Sequence, residues 1–195
     1  MSVEQPKAKP SKRDAILNAM LEVVAERGFH DAPMSLIAER AEASPGVIYH
    51  HFASKEEIIQ ALYDQVRALK RTSLLQGYSP AMSDKDAFLH LAGNAYRFYR
   101  EHLREMRFLE QFESAGFACR PEHDPQSEAT LTDVERRFTS RSQGGILNDW
   151  PPEVLQELTL GLIARLARHP HPLPLQILRE VAEKMWEAVK APDEK

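Results

Sequence analysis

Apolar positions recur every three or four residues along most of the chain and nowhere alternate long enough to draw a strand, so the pattern predicts helices throughout. Ile16, Leu17, Met20, Leu21 and Val24 form the first stripe, with Ser11-x-x-Asp14 as a capping box at its start and Gly28 as its stop. A second helix of about eight residues is predicted from near Pro33 through Leu36 and Ile37 to Ala41, followed by the turn Glu42-Ala43-Ser44. Ser44 suits an N-cap and Pro45 a first helical position, so a third helix starts there and breaks at Phe52-Ala53. It is too short for a core helix; its neighbours must hold it, and it can present its outer face. Ser54-x-x-Glu57 then opens a fourth helix carrying Ile58, Ile59, Leu62, Tyr63 and Val66, which ends before Gly77-Tyr78-Ser79-Pro80.

Beyond that point the periodicity predicts helices over 84–102, 106–117, 127–142, 152–168 and 174–189. The third of these carries Leu131, Val134 and Phe138 and is closed by Gly144-Gly145. The last two are apolar over more than one stripe. Leu160, Ile163, Ile177 and Trp186 extend beyond the line of Leu155, Leu158, Leu162, Leu178 and Met185, and so wide a face requires a second burial partner. The expected fold is all-α: a flexible N-terminal arm over 1–10, a three-helix helix-turn-helix domain over 11–57, and a helical domain over 58–195.

Two short helices joined by a three- to four-residue turn, with a longer helix to pack on, make a helix-turn-helix, whose second helix enters the major groove. That geometry names Ser44, Pro45, Gly46, Tyr49 and His50 as the DNA face. The small residues allow close approach, and Tyr49 and Lys55 are assigned to phosphate. Lys55 stands at a helix N-terminus, where the dipole also favours an anion.

The spaced residues Arg13-x-x-Ile16-Leu17, Glu26-x-Gly28-Phe29, Ile37-Ala38 and Ser44-x-Gly46-x-Ile48-Tyr49-x-His51-Phe52-x-Ser54-Lys55-Glu56 resemble the TetR family of bacterial transcriptional regulators. The resemblance covers roughly residues 12 to 63. It implies a homodimeric repressor that binds a palindromic double-stranded DNA operator and is released by a small effector held in the C-terminal helical domain. It also implies dimerisation through the last two helices, with Leu155, Leu158, Leu162, Leu178 and Met185 at the interface. Pro33 replaces a threonine that commonly caps the second helix in the family, and Glu42 replaces a frequent glycine in the turn. The first removes a hydroxyl and the second brings negative charge close to the DNA face.

Composition narrows the alternatives. The 195 residues carry a formal net charge of −4, which argues against non-specific coating of nucleic acid. The lone Cys119 forms no intrachain disulfide, no apolar run reaches the ~20 residues of a membrane span, and a cytoplasmic protein without a membrane partner is expected. His50 and His51 diverge by about 100° on a helix, and His169-Pro170-His171-Pro172 lacks completing ligands, so no metal site, cofactor or catalytic constellation is assigned. The phenylalanines at helical spacing suit bundle core, but as a group Phe88, Leu91, Phe98, Phe112 and Phe138 are expected to wall an apolar effector pocket; Asn94, Glu113 and Arg165 are candidate polar anchors there, each read first as a surface residue. Two other readings remain: a helical small-molecule carrier or enzyme without DNA binding, and a regulator acting through protein contacts.

Overall fold

The computed structural model describes residues 11–117 and 133–192; the expected arm over 1–10, Cys119, the loop Arg120–Pro125 and Leu131 lie outside them. The described residues form helices α1 (Lys12–Arg27), α2 (Met34–Arg40), α3 (Pro45–His51), α4 (Lys55–Leu75), α5 (Asp84–Glu101) and α6 (Leu103–Ser114). They continue as α7 (133–137), α8 (Pro152–Gln156), α9 (Leu162–Ala167) and α10 (Leu175–Val189), with α8 and α9 joined by a π turn over Glu157–Gly161. Among the described residues only isolated bridges pair extended backbone, Ser140 with Leu147 and Leu147 with Lys190. None of the described helices is long and apolar enough to cross a membrane.

Two compact units divide the chain, one within Met1–Val66 and Arg104–Pro121, the other within Arg67–Leu103 and Glu122–Lys195. The first is the head. Its core joins Ile16, Leu17, Met20, Val23 and Val24 of α1 to Ile37, Ile48, Phe52, Ile58 and Leu62. Phe108, Leu109 and Phe112 of α6 complete the same cluster. This differs from the expected division at residue 57, which gave α6 to the second domain. The reason is aromatic packing: the Phe112 ring stacks on Tyr63 with centroids 4.0 Å apart, and Phe29 meets Phe108 edge-on at 5.5 Å.

In the head the local signals act as their residue types require. Ser11 accepts from the Asp14 N–H at 3.1 Å while the Asp14 carboxylate takes the Ser11 N–H, closing the capping box. Ser54 accepts from the Glu57 N–H at 3.2 Å, and the Glu57 carboxylate reaches back one residue beyond the cap, to the N–H of Ala53. After α2 the N–H of Ala43 bonds the Ala38 carbonyl and that of Glu42 bonds the Glu39 carbonyl, with Glu42 at φ +47°. That is a Schellman turn carrying a glutamate where glycine is the unstrained residue.

In the second unit α5 packs against α9 and α10. Asn94, buried on α5, donates to the carbonyls of Leu74 and Gln76 and so satisfies the C-terminal end of α4. Arg100 does the same for the end of α9, donating to the carbonyls of Ala167 and His169. The helix expected over 127–142 is helical only at 133–137 among its described residues, apart from a 3-10 turn over Arg141–Gln143. It stops because Thr139 gives its carbonyl to the returning Leu147 N–H, and the reversal at Gly144-Gly145 brings the chain back alongside. A Cβ on Gly145 would collide with the Thr139 carbonyl, so this glycine makes a close return of the chain rather than a simple helix stop.

Candidate nucleic-acid interface and ligand cavity

Helix α3 is fixed from beneath and at both ends. Ile48 and Phe52 are 1% and 2% exposed, Ser44 accepts from the Val47 N–H at 3.3 Å, and the Phe52 N–H closes on the Ile48 carbonyl at 2.9 Å. What remains outward is the expected set: Ser44, Pro45, Gly46, Tyr49 and His50 are all exposed. Tyr49 stands out at 59% exposure, large for an aromatic with a hydrogen-bonding tip. A Cβ on Gly46 would meet nothing closer than the Ser44 hydroxyl at 3.9 Å, so the fold itself has no use for a glycine there. Glycine within a helix costs about 1 kcal/mol relative to alanine, and what it offers at this surface is close approach from outside.

Lys55, the expected phosphate contact, also holds the fold together. Its Nζ donates to the Phe29 carbonyl at 2.9 Å, tying the start of α4 to the segment after α1. Other head cations are committed in the same way. Lys12 Nζ donates to the Glu42 carbonyl at 2.9 Å, Arg13 lies over the Phe52 ring, and Arg40 donates to Glu26 at 2.6 Å. The Arg40 hydrogen bond holds the Glu26 carboxyl below the usual carboxylate range. Acidic residues also outnumber basic ones between Ser11 and Val66. Among the described residues the face therefore offers hydroxyls, a phenol, an imidazole and helix-terminal amides, while Lys12, Arg13, Arg40 and Lys55 also make contacts within the head. Pro33 caps α2 with its backbone alone, as its missing hydroxyl requires.

A cavity of about 430 Å³ lies in the second unit, within the range of small-molecule sites. Phe88, Leu91 and Phe138 line it as expected. Phe98 and Phe112 do not: Phe98 shares a stripe of α5 with Leu91 but lies two turns further along, buried beside Tyr99 and His102, and Phe112 belongs to the head core. None of the three anchor candidates reaches it either; Asn94 is spent on carbonyls, and Glu113 and Arg165 are exposed. Sequence reasoning missed Glu135, Trp150, Gln156, Thr159 and Ile163, which line the cavity. The spacing 155, 156, 159, 160, 163 is a helical face, of which the sequence assigns only Leu155, to the interface between subunits.

That interface set is also redistributed. Leu155, Leu178 and Met185 are buried within the single chain, and Leu162 is half-buried. The apolar side chains left outside are Val154, Leu158, Leu160, Leu175 and Ile177, with Leu175 at 77% exposure. Width of the stripe gave the excess apolar surface correctly but not which side of each helix faced inward. Among the described residues no cluster of three or more His, Cys, Asp or Glu is placed to hold a metal.

Comparison with known proteins accords with this architecture. Residues 16–62 match the profile of the bacterial regulatory proteins of the tetR family. The chain is 52% identical over 69 residues to the HTH-type transcriptional regulator UidR of Escherichia coli K12, a stretch covering 34% of this chain and 35% of that one. It thus matches about a third of that relative's length. With the HTH-type transcriptional regulator BetI of E. coli K12 (DH10B) the match is 34% identity over 155 residues, covering 78% of this chain and 77% of BetI. Among solved structures, a TetR family regulator from Marinobacter aquaeolei VT8 superposes with a TM-score of 0.76 over 93% of this chain and 96% of its own, at 20% identity, a likeness of fold. The head profile, together with a relative aligned along three quarters of both chains, establishes that the chain belongs to the TetR family of bacterial regulatory proteins.

Proposed function

We propose that the protein is a sequence-specific DNA-binding transcriptional regulator of the repressor type, acting as a homodimer released from a palindromic operator by a small, largely apolar ligand. The observation that carries this reading is α3: a helix held rigidly from below whose outward set is Ser44, Pro45, Gly46, Tyr49 and His50, with a glycine that the fold does not need. UidR and BetI, both named as HTH-type transcriptional regulators, support it. The dimer would bury Val154, Leu158, Leu175 and Ile177, whose exposure in one chain is the excess that a two-fold partner removes. The ligand belongs in the cavity of the second unit, and α4, which runs from one unit into the other, supplies continuous backbone between the two functions.

Selection from random double-stranded DNA tests the proposal. A palindromic site is expected, bound less tightly as salt is raised because each phosphate contact releases counterions. Tyr49→Ala is expected to weaken binding to that site at least tenfold without lowering the unfolding midpoint, whereas Lys55→Ala lowers the midpoint first. Absence of any enriched sequence would refute the reading in favour of a carrier or a protein-contact regulator.

A further inference from the structure

We infer that the cavity of the second unit selects a lipophilic organic cation, a hydrocarbon body carrying one ammonium group; this rests on the reading of that cavity as the ligand site. Its floor is apolar and aromatic, with Phe88, Phe138 and Trp150 among the lining side chains. Its polar lining consists of hydroxyls and carboxamides, those of Thr139, Ser140, Thr159, Gln143 and Gln156, together with one ionised group, Glu135. Lys, Arg and His are absent from the described lining. The Glu135 side chain is exposed and has no hydrogen bond or ion pair among the described residues.

A cation beside the lining is Arg137, whose guanidinium lies 5.8 Å from the Phe138 centroid. It is already engaged. Its Nε donates to Asp84 at 2.7 Å, Nη1 to the Tyr78 hydroxyl at 3.3 Å, and Nη2 to the Met82 carbonyl. An acyl carboxylate entering the cavity would therefore lose water, gain no cation from the described lining and face Glu135, an unpaired charge of the kind that interiors exclude. A neutral hydrocarbon would fill the floor and leave Glu135 unused. An ammonium at the rim gains the carboxylate and the faces of nearby rings together, while its tail takes the apolar wall.

The π turn places Thr159 and Leu160 on the same wall, and the Thr159 hydroxyl donates to the Leu155 carbonyl at 2.7 Å. Back-bonding of this sort bends a helix, and π turns concentrate at functional sites. The irregular backbone thus coincides with the cavity.

Calorimetric titration of the intact protein with three probes of equal chain length tests the inference: decyltrimethylammonium, 1-decanol and decanoate, each below its micellar concentration and at one ionic strength. The cation is expected to bind roughly tenfold more tightly than the alcohol, and decanoate more weakly than either. Glu135→Gln, a change at an exposed position that leaves the fold intact, is expected to remove the advantage of the cation and leave decanol binding unchanged. Emission from Trp150 in a Trp186→Phe background reports whether the probe sits in the cavity. Equal binding of cation and alcohol, tighter binding of decanoate, an unaltered preference in Glu135→Gln, or no binding of any probe overturns the inference. None of these arms contains DNA. A cation that binds as expected but leaves operator affinity unchanged upholds the ligand class and removes the release mechanism proposed above.

Discussion

Helix α3 and the α8–α9 segment are both short and both border a space that the protein leaves open, yet their backbones are held in opposite ways. Helix α3 begins at a side-chain cap, rests on Ile48 and Phe52, and follows a Schellman turn whose Glu42 carbonyl is gripped by Lys12. The segment over α8 and α9 begins at Pro151 without a side-chain cap and passes through a π turn beside the cavity. On the function proposed above, the difference follows from the partner each face would meet. Reading base edges demands side chains held at fixed spacing, which requires a backbone that does not yield. A cavity that admits and releases a ligand needs walls with alternatives close in energy, and irregular, less tightly packed backbone supplies them.

The sharpest way to break this comparison is to remove one phenylalanine from each region. Phe112 is 1% exposed and packs on Tyr63, Phe117 and Phe29, so Phe112→Ala leaves a void in the head and is expected to cost about 3–5 kcal/mol. Phe138 is half-buried against an existing cavity, and Phe138→Ala loses only part of that contact, about 1–2 kcal/mol. Urea midpoints would measure both. DNA binding is expected to fall with Phe112→Ala and ligand binding with Phe138→Ala. Equal losses of stability would mean that the cavity wall is as tightly packed as the head.

Two glycines sharpen the same contrast at a smaller scale. Gly145→Ala drives a methyl into the Thr139 carbonyl, and the loop must open at a cost of about 1–3 kcal/mol. Gly46→Ala meets open space in a helical backbone and is expected to stabilise the head by about 0.5–1 kcal/mol while weakening operator binding. Opposite signs in thermal unfolding, combined with reduced DNA affinity only for Gly46→Ala, are the expected pattern. A destabilised Gly46→Ala would show that the fold, and not an outside surface, requires that glycine.

What was legible in the sequence divides along the same line. Ser11, Ser44, Ser54 and Pro45 act within three or four residues of themselves, so caps and helix starts in the head could be read directly, and the outward side of α3 with them. The Lys55 bond to the Phe29 carbonyl could not be read so, because it spans 26 residues. Phe112 and Leu155 have the periodicity of a buried face, but periodicity does not say against what. Phe112 went to the head and Leu155 inward to the cavity through contacts set by the whole fold. The π turn left no mark in the spacing at all, since 155, 156, 159, 160 and 163 fit an ordinary helix.

The smallest expected effect concerns the turn between α2 and α3, where the rigid region carries its own strain. Glu42 holds φ +47°, a left-handed conformation that costs a non-glycine residue roughly 1–2 kcal/mol. The bonds that define the turn, from the N–H groups of Ala43 and Glu42 to the Ala38 and Glu39 carbonyls and from Lys12 to the Glu42 carbonyl, use no side-chain atom of residue 42 and survive a change of side chain there. Glu42→Gly therefore relieves the strain, partly offset by the greater entropy of the unfolded glycine, for a net gain of up to about 1 kcal/mol. It also removes an exposed carboxylate beside Ser44, the first residue of the outward face, so operator affinity is expected to rise, and most at low salt where the repulsion is least screened. Denaturant midpoints and operator titrations at two salt concentrations separate the two effects. A gain in affinity that does not change with salt would assign the whole benefit to a better-ordered α3, and a loss of stability would mean that the Glu42 side chain supports the turn it strains.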